Sequence, residues 1–199
     1  MNDIALSAAA DAAPQRRWLI PLALLAVYVI WGSTYLGIRI GLTGFPPFAM
    51  AALRFFAAGI AMYAWLRLRG VKPPTRRQWR NAAITGVLLL LFGNGLVCFA
   101  EESVTSGIAA VAIASEPLFI ALFLFAYRER PSRGEIIGLA VGFFGVLILN
   151  IGGTMRAAPW AAAALLVATL AWAFGSIWSR RQDMPDGPMN VAAQMLCAA

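Results

Sequence analysis

Six apolar runs, each about long enough to cross a bilayer, alternate along this chain with gaps of which every second one is basic. The runs extend from Trp18 to Ile38, Pro47 to Leu66, Ala82 to Ala100, Ser106 to Tyr127, Ile136 to Asn150 with its flanks, and Pro159 to Ser179. A hydrocarbon core of ~30 Å is crossed by ~20 mostly apolar residues rising ~1.5 Å each as a helix. The bilayer is therefore the solvent of this chain. The pattern predicts an all-α, polytopic transmembrane helix bundle.

Thirteen of the sixteen Lys and Arg residues sit in alternate gaps. These are Arg16 and Arg17; Arg67, Arg69, Lys72, Arg76, Arg77 and Arg80; Arg128, Arg130 and Arg133; and Arg180 and Arg181. The intervening gaps hold only Arg39 and Arg156. Positive flanks stay on the cytoplasmic side, which predicts a cytoplasmic amino terminus and places helices one, three and five on outward runs. Six crossings return the chain to the inside before Met189.

An apolar fraction of 61% lies far above the soluble norm of ~45–50%. No gap exceeds about fourteen residues, so no soluble domain fits between spans. The net charge of +7 lies in loops that flank spans, without the clustered face that nucleic acid requires. Membrane lipids are the expected partners of these cations, and nucleic acid is not. The first run exceeds the ~7–15 residues of a cleavable signal and follows Asp3 and Asp11, which predicts a retained anchor.

Catalysis has little to work with. The chain has no histidine, which removes Ser-His and Cys-His nucleophiles, His-ligated metals and His proton relays. Cys98 and Cys197 lack metal-ligand spacing, and Cys98 reads as a small packing residue. Neither an enzyme, a metal site nor a cofactor is expected. Gly-x-x-x-x-Gly-Lys-Ser/Thr is also absent, so ATP is not the expected energy source.

From Met189 the sequence turns apolar again, and the eleven residues to Ala199 make about half a crossing. A helix end left in hydrocarbon strands several carbonyls, so these residues read as the opening of a further span in a longer membrane domain. A short re-entrant or surface-lying tail is the alternative. Trp31-Gly32-Ser33 with Tyr35 in the first run is echoed by Trp172-Ala173-Phe174-Gly175-Ser176 in the sixth. An offset of five spans would invert the second copy relative to the first.

Trp31-Gly32-Ser33-Thr34-Tyr35, Pro46-Pro47 after a short loop, and Arg54 within the second run resemble the opening of the EamA branch of the drug/metabolite transporter superfamily. Glu116-Pro117-Leu118-Phe119 is similar to that family's mid-helix proline segment, and Arg128-Glu129-Arg130 to its inner-end turn. Gly134, Gly138, Gly142 and Gly145 with Leu149-Asn150 resemble its fifth span, nearest to its YedA-like branch. The resemblance implies ten helices in two inverted five-helix repeats that export metabolites or drugs across the bacterial inner membrane. Residues 1–17 would be a cytoplasmic tail, 18–150 the first repeat, and 151–199 an incomplete start of the second. The missing part of the second repeat, or a homodimer, would complete the structure.

Two ionisable residues lie well inside the runs, where such groups cost ~2.5–3.5 kcal/mol and usually face a cavity or a partner. Arg54 lies ~12 Å deep in helix two and Glu116 near the midplane of helix four, about 8–9 Å apart in depth at the helical rise. In one reading Glu116 exchanges a proton or meets a cationic substrate group while Arg54 supplies the opposite charge. In the other, a static Arg54–Glu116 pair locks helices two and four. Asn94, between Gly93 and Gly95, is either a pore-lining amide or an interhelical hydrogen-bonding group, and the glycines permit local unwinding.

Pro117 removes a backbone donor at mid-helix, the kind of break that transporters place beside their sites. Trp31 and Tyr35, one turn apart, share a helix face and either wall an aromatic cavity or pack the core. Ser33 and Thr34 either join that cavity or bond back to their own helix. Gly134, Gly138 and Gly142 are small-xxx-small steps for close helix approach, within the bundle or across a dimer seam. Glu101 and Glu102 read as a solvated turn, with a cation funnel as the alternative. With these residues, the resemblance implies a secondary transporter of small molecules, an efflux permease whose preferred form is driven by proton exchange. A truncated membrane protein or scaffold that does not transport is the alternative.

Overall fold

The structure, a computed structural model, describes residues 19–127, 132–150 and 158–199, without the side chains at 146, 147, 149 and 150. The amino-terminal tail, Arg128-Glu129-Arg130 and Arg156 lie outside the described residues. The chain divides into two compact units, Met1–Gly37 and Ile38–Ala199.

Every described element is helical, in seven helices: α1 Leu19–Gly41, α2 Pro47–Leu68, α3 Arg76–Ala100, α4 Ser106–Ala126, α5 Arg133–Asn150, α6 Pro159–Ser179 and α7 Pro188–Ala198. By length and composition, α1, α2, α3, α4 and α6 are apolar enough to cross a membrane. The sequence leads to a sixth crossing at α5. That helix is 18 residues long, but Arg133 and Glu135 occupy its first turn and shorten the apolar stretch.

Prolines start α2, α6 and α7 at the first helical position, where a missing N–H costs nothing. The third helix begins at Arg76 instead of Ala82. A capping box explains the difference, because the Gln78 N–H donates to the Thr75 hydroxyl and the Thr75 N–H donates to the Gln78 side chain. Hydropathy marks where the span begins, whereas the cap marks where the helix begins. Arg76, Arg77 and Arg80 thus lie on the first turns of α3 and not in a loop.

Two of these helices are irregular. Residues Val87–Gly95 of α3 are π-helical, wound i→i+5, between α-helical ends at Arg76–Gly86 and Leu96–Ala100. Helix α4 breaks between Ser106–Ile113 and Glu116–Ala126. Pro117, second in the latter half, supplies no N–H, and the Ser115 hydroxyl donates to the Ala112 carbonyl at 2.6 Å inside the break.

The core of the larger unit forms where α6 packs on the π segment and where α7 lies against α2 and α3. Small residues allow both approaches. A Cβ on Gly86 would come 2.6 Å from the Gln194 carbonyl oxygen of α7, and one on Gly59 would come 3.0 Å from the Met195 Cβ. Ala161, Ala164, Leu165, Ala168 and Ala173 form the buried stripe of α6.

Basic residues collect at one end of this unit, in Arg67, Arg69, Lys72, Arg76, Arg77 and Arg80, with Arg180 and Arg181 following α6. There the Asn81 and Gln78 side chains donate to Asp183 at 2.9 and 3.1 Å, fastening the α6–α7 loop to α3. At the opposite end an aromatic row joins three helices. Phe48 and Phe99 stack at 6.0 Å, and Phe99 meets Trp160 at 4.9 Å between ring centroids.

Candidate functional site

The π segment brings together two residues forty positions apart. Arg54 Nη2 donates to Asn94 Oδ1 at 3.3 Å, and Asn94 Nδ2 donates back to the Leu89 carbonyl at 3.3 Å, five residues earlier. Asn94 thus bridges its own π turn and the guanidinium of α2. The Arg54 guanidinium also lies 4.7 Å from the centre of the Phe55 ring. Among the described residues one of its five N–H donors is engaged, by Asn94, which leaves the group capacity for an anionic or carbonyl ligand.

Glycine and tryptophan hold this arrangement. A Cβ on Gly93 would sit 2.5 Å from Trp172 Nε1, and one on Gly95 would sit 3.1 Å from the Phe48 ring. Gly175 lets Leu88 and Leu89 approach from the other side. A cavity of about 230 Å³ is lined by Phe48 and Phe55 of α2, Leu90 and Gly95 of the π segment, and Cys197 of α7, with neither Arg54 nor Asn94 in its lining.

Glu116 is half-buried at the start of the second half of α4. It forms no ion pair with Arg54 among the described residues, since the polar partner of Arg54 is Asn94. The static pair that the sequence offered is therefore absent. Pro117 and Ser115 line a second cavity of about 410 Å³ between α4 and α5, together with Leu118, Glu135, Gly138 and Gly142.

This cavity also borders the glycine stripe. Among the described residues no atom lies within 4 Å of a Cβ built on Gly134, Gly138 or Gly142. Helix α5 touches the second half of α4 sparsely and leaves open space between them. In the smaller unit, Trp31 is half exposed and Tyr35 is buried. Ser33 and Thr34 both donate to the Ile30 carbonyl, at 3.0 and 2.9 Å, so their hydroxyls serve their own helix.

Sequence reasoning missed Glu101. Read as part of a solvated turn, it is fully buried, and neither carboxylate oxygen has a hydrogen-bond partner among the described residues. Burial pushes its pKa up to about 7 against the pull of the nearby Arg39 guanidinium. Arg39 Nη1 donates to the Glu101 and Val104 carbonyls at 2.8 and 3.1 Å. A signal was available: Arg39 is one of two cations in the gaps that otherwise lack Lys and Arg, and Glu101 follows directly on an apolar run.

The EamA-like transporter family matches residues 18–151. The chain is 47% identical over 185 residues to the "Uncharacterized inner membrane transporter YedA" of Escherichia coli strain K12, covering 92% of this chain and 60% of that protein. It is 26% identical to the "Uncharacterized transporter YoaV" of Bacillus subtilis, covering 82% of this chain and 58% of that one. It is 29% identical to a "Probable amino-acid metabolite efflux pump" of Escherichia coli strain K12, covering 80% and 52%. The chain thus spans less than two thirds of the length of these relatives. No solved structure matches. With most of its length matched by the family and its helices built to cross a membrane, the chain belongs to the EamA-like transporters, a transporter family and not a family of enzymes.

Proposed function

We propose that the whole protein exports small organic solutes, amino acids among them, across the bacterial inner membrane by proton-coupled alternating access. The observation that carries this reading is the Arg54–Asn94 pair on the π segment. A guanidinium within an apolar span is costly unless it faces a partner or a cavity. Here one amide occupies one donor, and the remaining donors suit a carboxylate better than they suit hydrocarbon. An amino acid offers such a carboxylate, and the name of the efflux-pump relative points to the same class of solute.

Glu116 is the complementary group in this proposal. With no Arg54 pairing, its carboxyl stands beside a helix break, where it meets a substrate amine or exchanges a proton. The gathering of cations at one end of the helices supports a cytoplasmic placement of that end, and with it a cytoplasmic amino terminus. Residues 18–150 act as the first inverted repeat and 151–199 open the second, with a further repeat or a second copy supplying the opposing wall.

The test is efflux from cells preloaded with labelled amino acids, with and without a protonophore. Expression should speed the loss of at least one solute, and the protonophore and Arg54→Leu should each abolish the gain. Efflux equal to that of cells lacking the protein for every solute, with the protein present in the membrane, would reject the proposal.

A further inference from the structure

Glu101 terminates α3 as its C-cap residue, with its N–H bonded to the Val97 carbonyl. Three independent conditions oppose a negative charge there. The side chain is completely buried, both oxygens lack donors, and the carbonyl end of a helix carries negative potential of its own. A neutral carboxyl satisfies all three.

The charged and titratable groups around it are few. From α1 comes Arg39 and from α3 itself Cys98, on which Arg54 of α2 acts in turn. Neither α6 nor the first half of α4 contains a titratable residue, and Glu102 beside it is exposed. Arg39 is therefore the one cation placed to answer a charge on Glu101 from the described elements. In this structure that cation is engaged elsewhere, on the main-chain carbonyls of Glu101 and Val104.

We propose that Glu101 is a proton-binding site whose occupancy decides whether Arg39 clamps the α3–α4 turn. With the proton bound, the carboxyl needs no cation, and Arg39 ties the end of α1 to residues 101 and 104. When the proton leaves to water, the carboxylate is left buried beside a guanidinium, and the pair forms at the expense of the two carbonyl bonds. Loss of those bonds frees the α3–α4 turn from the end of α1. The burial-raised pKa of about 7 sets the exchange near neutral pH. This assignment deepens the proton-coupled reading above, on which its transport consequence rests, and it names Glu101 as the group that senses protons at the end of the bundle away from the basic cluster.

Infrared difference spectroscopy of the purified full-length protein, titrated with acid and base without substrate, tests the site directly. A protonated-carboxyl band should disappear as pH rises through neutrality, and Glu101→Gln should remove it. Arg39→Gln, which leaves the carboxyl intact, should shift the midpoint upward by deleting the cation that favours the anion, and this variant decides the matter if Glu101→Gln does not fold. A band that titrates in the ordinary carboxylate range, or a midpoint unmoved in Arg39→Gln, overturns the proposal.

Transport by the same preparations in liposomes separates this idea from the functional reading. Glu101→Gln should lose acceleration by a pH gradient while retaining downhill exchange. If wild-type protein moves no solute yet the band titrates as described, the transport reading fails and the proton site stands. If the band titrates but Glu101→Gln keeps the wild-type response to the gradient, its role in coupling is overturned.

Discussion

Gly93 and Trp172 approach so closely that a β-carbon on the glycine would lie 2.5 Å from the indole nitrogen and 2.8 Å from the adjoining ring carbon. The π segment of α3 is therefore seated against α6 at a point where no side chain fits. Gly93→Ala must push the indole or the backbone aside, and overpacking of this kind costs about 1–3 kcal/mol. The melting temperature in detergent should fall, and Gly93→Ala combined with Trp172→Ala should recover part of the loss. An unchanged melting temperature in the single variant would contradict the close approach.

Asn94 satisfies two partners, so replacing it harms more than one bond. Asn94→Leu leaves the Arg54 guanidinium and the Leu89 carbonyl without their side-chain partner. Intramembrane hydrogen bonds of this kind contribute ~0.6–2 kcal/mol each. A double-mutant cycle with Arg54→Leu should show coupling of about 1 kcal/mol, and additive effects would show that the pair has no energetic reality.

Stability should depend on pH through Glu101. Its folded pKa, about 7, exceeds the unfolded value of 4.5, so the folded protein holds the proton more tightly. The associated stabilisation is present in full below the unfolded value and is lost as pH rises through about 7. At ~1.4 kcal/mol per pKa unit the loss is at most on the order of 3 kcal/mol. Melting curves from acid to mildly alkaline pH should show this decline in wild type, and Glu101→Gln should flatten it. A wild-type stability that rises across this window would have the wrong sign.

Thr75→Ala should cost about 1 kcal/mol by breaking the reciprocal cap of α3. The effect should be local. Hydrogen exchange at Gln78 should quicken while amides near Gly93 keep their protection, and uniform quickening would mean that the cap supports the whole bundle.

The spans were legible in the sequence because burial in a bilayer is a property of about twenty residues at once, and hydropathy averages over that length. Arg54 and Asn94 each stood out as polar groups inside runs. Their contact did not, because nothing local relates residues forty apart, and the sequence paired Arg54 with Glu116 on depth alone. The glycines at 93 and 95 hinted at altered winding near Asn94, without fixing it as i→i+5.

Glu101 shows where the method fails. Position after an apolar run marks a turn, and an acid in a turn reads as solvated, whereas burial here arises from neighbours distant in sequence. The stripe at Gly134, Gly138 and Gly142 is the converse case, with open space beside it among the described residues. Its spacing states that close approach is permitted, not that any helix takes the offer.

Nine residues wound i→i+5 hold more chain per turn than an α-helix of the same height requires. Helix α3 is therefore less a rod than a screw. Gly86, pressed on the Gln194 carbonyl, fixes the lower thread, while Asn94 and Glu101 ride on or beyond the upper one. The wider turn advances by a smaller angle per residue than the ~100° of an α-helix, so each residue passed from π to α winding adds a fraction of that angle to the rotation of whatever follows. Rewinding several residues of the segment would carry Asn94 off Arg54 and Glu101 off its burial together, so the two polar positions share one axis of rotation although no bond joins them.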